Sequence, residues 1–355
     1  MRYLSLSLLA VLLYCPLAVH ASPLFSATPL TDFAPGEKYL GVFYGHLYAN
    51  SNNLPAGSQH DLDGRYFAAK VKPLDASGGF DPADGKIVVV GLGMSNWTLE
   101  LCVAVQVSQL TIPPCTAGSF FKSARANPAV NNSSIVFIDC AAWSQVAPNW
   151  VDDSHGLYSR CSSILGANHV TQKQVQVILW KDVNTIDPIV SLSPTTKCSS
   201  VAVISAATPD ACKYEHNVAK VARFVKAEYP NVQLMFLHSR IYTGYATNLL
   251  NPEPYAYENG FATKWLIQAQ IDQIQSGHVN TNTRDLSYTA APWLAWGPYF
   301  WADGPNPRSD GLTWTQDDFS VADGTHPSQL GVEKVSRMML HFYLNSRYSA
   351  WFVAP

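Results

Sequence analysis

Charged residues are scarce in this chain. Only 14% of its 355 residues are Asp, Glu, Lys or Arg, and the formal net charge is −3. It contains no basic run, so nucleic-acid binding, which depends on clustered cations at phosphates, gains no support. It also contains no Cys-x-x-Cys pair, so a zinc cluster is not expected, and we predict no metal and no organic cofactor. Internal repeats and low-complexity segments are missing as well.

Long apolar runs are confined to the first residues. The apolar stretch Leu4 to Leu17 follows the basic Arg2 and precedes Ala18-Val19-His20-Ala21, which fits a signal-peptide cleavage site. This stretch is too short to span a bilayer, and no later run is long enough. We therefore predict a signal peptide at 1–21 and a secreted or periplasmic protein without membrane insertion.

Cysteine numbers agree with export. One of the seven cysteines lies in the leader, and the other six are Cys102, Cys115, Cys140, Cys161, Cys198 and Cys212. An even number in an oxidising compartment predicts disulfides. Pairing of sequence neighbours would give 102–115, 140–161 and 198–212, which is one of the many connectivities that six cysteines allow. Buried free thiols are the alternative for some of them.

Strand and helix patterns alternate from residue 86 onward. Short continuous apolar runs, typical of strands buried on both faces, occur at 87–90, 135–138, 175–179 and 232–237. Helical patterns occur at 215–229, 260–275 and 327–344. This alternation predicts an α/β fold with a parallel sheet and right-handed crossovers.

Three segments interrupt this pattern. Residues 22–84 are rich in Gly, Pro, Asn and Ser, and we expect an irregular N-terminal extension with small strands, packed on a main domain at 85–355. Residues 187–214 contain several prolines and two cysteines, which predicts an insertion held by a 198–212 disulfide. Residues 287–314 are expected to form a long, aromatic, Gly- and Pro-rich loop.

Two distant segments carry side chains suited to nucleophilic chemistry. Ser95 follows the first apolar run, so its hydroxyl would lie at the C-terminal edge of the sheet, where sites form in open α/β folds. Asp323 and His326 lie within one turn of each other, just before Pro327. The carboxylate could accept the Nδ1 proton while Nε2 points outward, and a base held in this way activates a serine.

Gly93-Met94-Ser95 and Asp323-Gly324-Thr325-His326 resemble the two catalytic blocks of the SGNH/GDSL hydrolase superfamily. The resemblance, to a secreted bacterial branch, covers most of the chain from about Tyr39 onward. It implies a flavodoxin-like three-layer α/β/α sandwich and a serine esterase or lipase with Ser95 as nucleophile, His326 as base and Asp323 as its orienting acid. The chain departs from the family pattern at Met94, where the family carries an acidic residue.

The same resemblance implies an oxyanion hole. Its donors would be the Ser95 N–H, an N–H from the turn at 142–144, and an asparagine side chain, for which Asn184 is the best match. The family's oxyanion glycine has no counterpart in 139–145. Trp143 and Ser144 are the candidates to replace it, and the choice between them stays open.

Several other residues have two interpretations. Trp296 and Trp301 of the aromatic segment could stack on a small-molecule or glycan substrate, or the rings could simply fix their own loop. Arg240 and Arg308 could bind an acidic substrate group, or form surface ion pairs. His155 follows Asp152 with the spacing of the Asp323 block, which makes it a weaker candidate base.

The sequence therefore predicts an exported serine esterase that acts on carboxylic esters, with carbohydrate esters as the favoured substrates. Two alternatives stay open: a non-catalytic, exported glycan-binding protein, and a structural protein of the cell surface, each retaining the hydrolase fold. The sequence does not predict an oligomeric state.

Overall fold

A parallel five-stranded sheet forms the centre of the described chain. The computed structural model describes residues 24–49 and 52–355, so the predicted signal peptide at 1–21 lies outside the described residues. The strands are β1 (Ile87–Gly93), β2 (Ile135–Asp139), β3 (Val175–Lys181), β4 (Leu234–Leu237) and β5 (Trp293–Trp296). Their spatial order is β2-β1-β3-β4-β5. This is the order of flavodoxin-like folds, so the predicted fold class is confirmed.

Seven α-helices accompany the sheet within the described residues. They are α1 (Gln59–Lys70), α2 (Ser95–Leu101), α3 (Phe120–Ala126), α4 (Leu157–Ala167), α5 (Asp210–Glu228), α6 (Tyr255–Ser276) and α7 (Gln329–Asn345). The three predicted helices are present as α5, α6 and α7. The first two begin earlier than their patterns predicted.

Helices cover both faces of the sheet. Trp180 of β3 is paired with Leu237 of β4, so Phe236, one residue before Leu237, points to the opposite face from Trp180. Trp180 Nε1 donates to the Tyr214 hydroxyl of α5 at 2.9 Å. Phe236 packs edge-on against Tyr343 of α7. The molecule therefore has the predicted three-layer α/β/α arrangement.

The end of β1 determines where the chain can turn. All seven residues of β1 are buried, and its last residue, Gly93, lies opposite Lys181 in β3. Gly93 has a φ of +144°, and a Cβ atom there would lie 2.0 Å from the Lys181 carbonyl oxygen. Only glycine fits this close approach. The turn leads directly into α2, whose first residue is Ser95.

Two elements were not predicted from the sequence. The N-terminal extension contains the expected small strands, Lys38–Tyr39 paired with Phe43–Tyr44, but also the helix α1. The aromatic segment 287–314 contains β5, which extends the sheet beside β4. The two elements pack together, because Trp293 Nε1 of β5 donates to the His60 carbonyl of α1 at 3.1 Å.

Three disulfides hold loop segments in place, and two of them join a loop to an α-helix. Cys102 is bonded to Cys115, Cys140 to Cys161, and Cys198 to Cys212, so the pairing of sequence neighbours is confirmed. The third bond ties the predicted insertion to α5, which already begins at Asp210. Within residues 24–49 and 52–355, we find no helix with the length and apolar character needed to cross a membrane.

Candidate active site

Ser95 and His326 are hydrogen-bonded although 231 positions separate them in the chain. Ser95 Oγ lies 2.8 Å from His326 Nε2, at the C-terminal edge of the sheet. His326 comes just before α7, whose N-cap Ser328 accepts a bond from the Gly331 N–H. The start of α2 and the start of α7 thus hold the two side chains in contact.

Asp323 holds the other side of the imidazole. Its Oδ2 lies 2.6 Å from His326 Nδ1, and its Oδ1 accepts the backbone N–H groups of His326 at 2.9 Å and Thr325 at 2.8 Å. Partial burial by itself raises the pKa of the Asp323 carboxyl, but these three hydrogen bonds outweigh it, and the pKa lies below its ordinary value. The carboxyl is therefore ionised at neutral pH, and His326 carries its proton on Nδ1 and presents Nε2 to Ser95.

Two further contacts fix the relative positions of these segments. Buried Asn96, next to the serine, donates from Nδ2 to the Thr325 carbonyl at 3.0 Å. Trp143 stacks on the His326 ring, with centroids 4.6 Å apart and an interplanar angle of 24°. The sequence predicted neither contact, because side-chain contacts between distant segments leave no local pattern.

Asn184 does not face the serine, so its predicted place in the oxyanion hole is wrong. Its Nδ2 donates to Asp210 Oδ1 at 3.2 Å, and its Oδ1 accepts from Asn217 Nδ2 at 2.8 Å. Both partners belong to α5, and the amide is buried among them. The side chain therefore ties the end of β3 to α5.

The turn after β2 contains both candidate oxyanion donors, Trp143 and Ser144, and their N–H groups differ in whether they already have an acceptor. The Trp143 N–H donates to the Val105 carbonyl at 3.0 Å and the Ala142 N–H to the Gly93 carbonyl at 3.1 Å, so the predicted Trp143 donor is occupied. Ser144 has a left-handed φ of +60° and lines the cavity beside Ser95. Among the described residues we find no acceptor for the Ser144 or Ser95 N–H groups. Both N–H groups are therefore free to donate.

A cavity of about 210 Å³ opens beside the triad formed by Ser95, His326 and Asp323. Ser95, His326 and Ser144 line it together with Arg240 and Asn251. Asn251 has a left-handed φ of +53° and is buried. No sequence signal identified Asn251, since a left-handed asparagine in a loop has no distinctive neighbours.

The tryptophans proposed to bind substrate are structural, so this prediction is wrong. Trp296 is buried in the wall of a separate cavity, and its Nε1 donates to the Leu47 carbonyl at 2.9 Å. Trp301 is fully buried and donates to Glu253 Oε1 at 2.8 Å. The rings fix their own segment, which was the alternative interpretation.

The competing histidine is not in the cavity. His155 is exposed, and the Asp152 carboxylate accepts the Ser154 N–H instead of holding the His155 ring. The Asp-x-x-His spacing alone is therefore not enough to build a catalytic pair.

Comparisons with known proteins add little to this geometry. A protein from Arabidopsis thaliana has 13% sequence identity and a TM-score of 0.35, with 72% of this chain and 99% of that chain covered. Protein YXIM from Bacillus subtilis has 11% identity and a TM-score of 0.33, with 74% of this chain and 57% of that chain covered. No family model matches the chain, and no curated protein sequence matches it.

Proposed function

We propose that this protein is a serine hydrolase that cleaves carboxylic esters through an acyl-enzyme. The observation that carries the proposal is the continuous hydrogen-bonded chain from Ser95 through His326 to Asp323, with distances of 2.8 and 2.6 Å. It lies beside a cavity open to substrate. A hydroxyl, a base and an orienting carboxylate in this order are the parts that nucleophilic ester cleavage requires.

In the first step, Ser95 Oγ attacks the ester carbonyl carbon while its proton moves to His326 Nε2. Asp323 keeps the ring in the required tautomer and stabilises the imidazolium that forms. The C–O bond to the alcohol then breaks, and the alcohol leaves with the proton from Nε2. The acyl group remains on Ser95.

The negative charge that develops on the carbonyl oxygen needs hydrogen-bond donors. The N–H groups of Ser95 and Ser144 are proposed to supply them, in place of the expected Asn184. Losing one such donor typically lowers kcat by ~10²–10³.

In the second step, His326 takes a proton from water, and the resulting hydroxide attacks the acyl carbon. The bond to Ser95 Oγ breaks, the serine regains its proton from Nε2, and the acid leaves. Each cycle converts one ester and one water into an acid and an alcohol.

The proposed setting is outside the cytoplasm. Three disulfides among the described residues support an oxidising compartment. The blocks at Ser95 and His326 support a place in the SGNH/GDSL superfamily, and esters of carbohydrates are the proposed substrates.

Hydrolysis of short p-nitrophenyl esters by the purified protein tests the proposal. Ser95→Ala and His326→Ala are expected to lose turnover by at least about 10³-fold. A fluorophosphonate probe is expected to label Ser95, as identified by mass spectrometry of the tryptic peptide.

The chain supplies its own control. His155→Ala removes a histidine with the same Asp-x-x-His spacing and is expected to leave turnover unchanged. Equal rates in the wild type and the Ser95→Ala variant, or probe label on another residue, would overturn the proposal. Glycan binding that survives Ser95→Ala without turnover would favour the non-catalytic alternative.

A further inference from the structure

Arg240 occupies an unusual position for a charged side chain. It lies three residues beyond the end of β4, has an exposed fraction of only 1%, and lines the cavity that also contains Ser95 and His326. A buried guanidinium is costly unless its charge and its donors are matched. The contacts of Arg240 therefore matter for what the cavity binds.

The protein itself leaves these donors largely unmatched. Arg240 Nη1 contacts the sulfur of Met94 at 3.4 Å, which is a weak acceptor, and Nε is buried without an acceptor among the described residues. Arg240 forms no ion pair within that part of the chain.

Arg308 is also buried, but most of its N–H donors have acceptors within the protein. Its Nε and Nη2 donate to the Asp310 carboxylate at 2.9 and 2.6 Å. Its Nη1 donates to the Tyr299 and Trp301 carbonyls at 2.7 and 2.9 Å. Four of the five N–H donors of Arg308 thus have acceptors in the protein, and its charge is paired with Asp310. Arg240 has no such partners among the described residues.

The acids near Arg240 are committed elsewhere. Glu100 is paired with Lys181 at 2.6 Å, and Glu253 accepts bonds from Trp301 Nε1 and from two backbone N–H groups. Burial raises the pKa of Asp182 well above its ordinary value, which favours the neutral form of that carboxyl. Burial lowers the pKa of Arg240 only to about 10, so the guanidinium stays charged.

We propose that Arg240 binds an anionic group of the substrate, so that the preferred esters carry a carboxylate close to the scissile bond. A carboxylate matches the planar, two-pronged guanidinium and would pair its charge. The inference rests on the proposed esterase activity. The carboxylate could belong to the acyl part or to the alcohol part of the ester, and both present the same group to Arg240.

Matched ester pairs test the inference and distinguish these two sources. Monomethyl succinate, glutarate and adipate carry the carboxylate on the acyl side and are compared with methyl butanoate, pentanoate and hexanoate. On the alcohol side, 3-acetoxypropanoate is compared with propyl acetate. Proton release is followed in a pH-stat at constant ionic strength, and kcat/KM is determined for each ester.

The wild type is expected to prefer the anionic member of at least one pair by about 10- to 100-fold in kcat/KM, the range of a desolvated hydrogen bond to a charged group. Arg240→Met is expected to remove this preference, and Arg240→Lys to retain part of it. Arg308→Met removes an arginine that is paired with Asp310 and does not line this cavity. It is the control and is expected to preserve the preference.

The experiment distinguishes failure of the proposed esterase activity from failure of the proposed role of Arg240. Hydrolysis of all esters without a preference for anions would overturn the role of Arg240 and leave the esterase in place. If no ester is hydrolysed, calorimetric titration of the Ser95→Ala protein with the same anionic esters decides. Binding that disappears in Ser95→Ala/Arg240→Met would support the anion site, and no binding would overturn it.

Discussion

At the scale of single residues, the hydrogen bonds of Asp323 determine how the His326 ring is held. The Asp323 carboxylate accepts three hydrogen bonds, one from the His326 ring and two from backbone N–H groups. The backbone bonds fix the carboxylate independently of the ring, so the ring adapts to the carboxylate. This arrangement directs Nε2 toward Ser95 Oγ, which lies 2.8 Å away.

Asp323→Asn is expected to lower kcat for a p-nitrophenyl ester by about 10³–10⁴-fold without unfolding the protein. The amide can keep its place in the turn, but its NH₂ group favours the imidazole tautomer that carries the proton on Nε2. The measurement is kcat together with the thermal unfolding midpoint.

Asp152→Asn is the matched control for that experiment, because Asp152 has the same spacing to a histidine but forms no hydrogen bond with its ring. A normal kcat in Asp323→Asn, or equal losses in both variants, would show that the carboxylate does not orient His326.

Sequence patterns predicted the contacts among Ser95, His326 and Asp323 but not their surroundings. Asp323 and His326 are close because of their spacing, and Ser95 follows a buried strand. In contrast, the direction of the Asn184 amide depends on Asp210 and Asn217 in α5, which no local pattern specifies. The same limit explains why the sequence left Trp143 and Ser144 equivalent, although the Val105 carbonyl occupies only the first.

At the scale of elements, α1 shows why apolar periodicity can miss a helix. Its buried residues are His60, Asp61, Gly64 and Ala68, so the inward face is polar or small. The Trp293 ring lies so close to Gly64 that a Cβ atom there would be 2.3 Å from it. Tertiary contacts with β5, rather than an apolar stripe, therefore stabilise this helix.

A buried ion pair joins the helix that carries Ser95 to the sheet. Lys181 Nζ at the end of β3 lies 2.7 and 2.6 Å from the two carboxylate oxygens of Glu100 in α2, and neither side chain is exposed. Such a pair is costly to break from one side, because the remaining charge stays buried.

Lys181→Met is expected to lower the free energy of unfolding by about 3–5 kcal/mol, measured by urea denaturation. The double variant Lys181→Met/Glu100→Leu is expected to recover part of that loss, because it leaves no unpaired charge. The control is Arg65→Met, which removes one end of a half-exposed ion pair with Asp61 and should cost no more than about 1 kcal/mol. Additive losses at positions 181 and 100 would contradict this interpretation of the pair.

At the scale of the whole molecule, the residues that line the cavity lie together at one edge of the sheet. Ser95 follows β1, Ser144 follows β2, Val183 follows β3, Arg240 follows β4, and His326 comes after β5; all five line the cavity. The strand order reverses beside β1, and a crevice forms at such a point in doubly wound sheets. The alternation of apolar runs was sufficient to predict this architecture, but β5 was hidden in an aromatic segment whose short run Trp293–Trp296 has no period.

The same edge holds a buried acid that couples folding to pH. Asp139 ends β2, and its carboxyl accepts from the Thr98 hydroxyl at 2.7 Å and from the Ala141 N–H at 3.1 Å. Burial raises the pKa of Asp139 to about 8, even though these bonds and the charge of Arg160 oppose the shift. In the unfolded chain the same group titrates near pH ~4.

The direction of the pH dependence of stability follows from the number of protons bound by the folded and the unfolded state. Between about pH 4 and pH 8 the folded state holds a proton on Asp139 that the unfolded state has released, so stability falls as pH rises through this window. One such group changes the free energy of unfolding by up to about 1.4 kcal/mol per pH unit. The buried acids Glu215, with a pKa raised to about 8, and Glu258, raised to about 7, act in the same direction.

Asp139→Asn isolates the contribution of this carboxyl, because the amide has nearly the same shape and stays neutral at every pH. Urea denaturation of the wild type and the variant at about pH 5, 6.5 and 8 gives the difference between the two curves. We expect the variant to lose less stability than the wild type as pH rises, so that the curves converge or cross toward pH 8. Thr98→Val, which removes a hydrogen bond but no titrating group, is the control and should shift its curve nearly in parallel. Parallel curves for Asp139→Asn and wild type would show that Asp139 is already ionised in the folded protein.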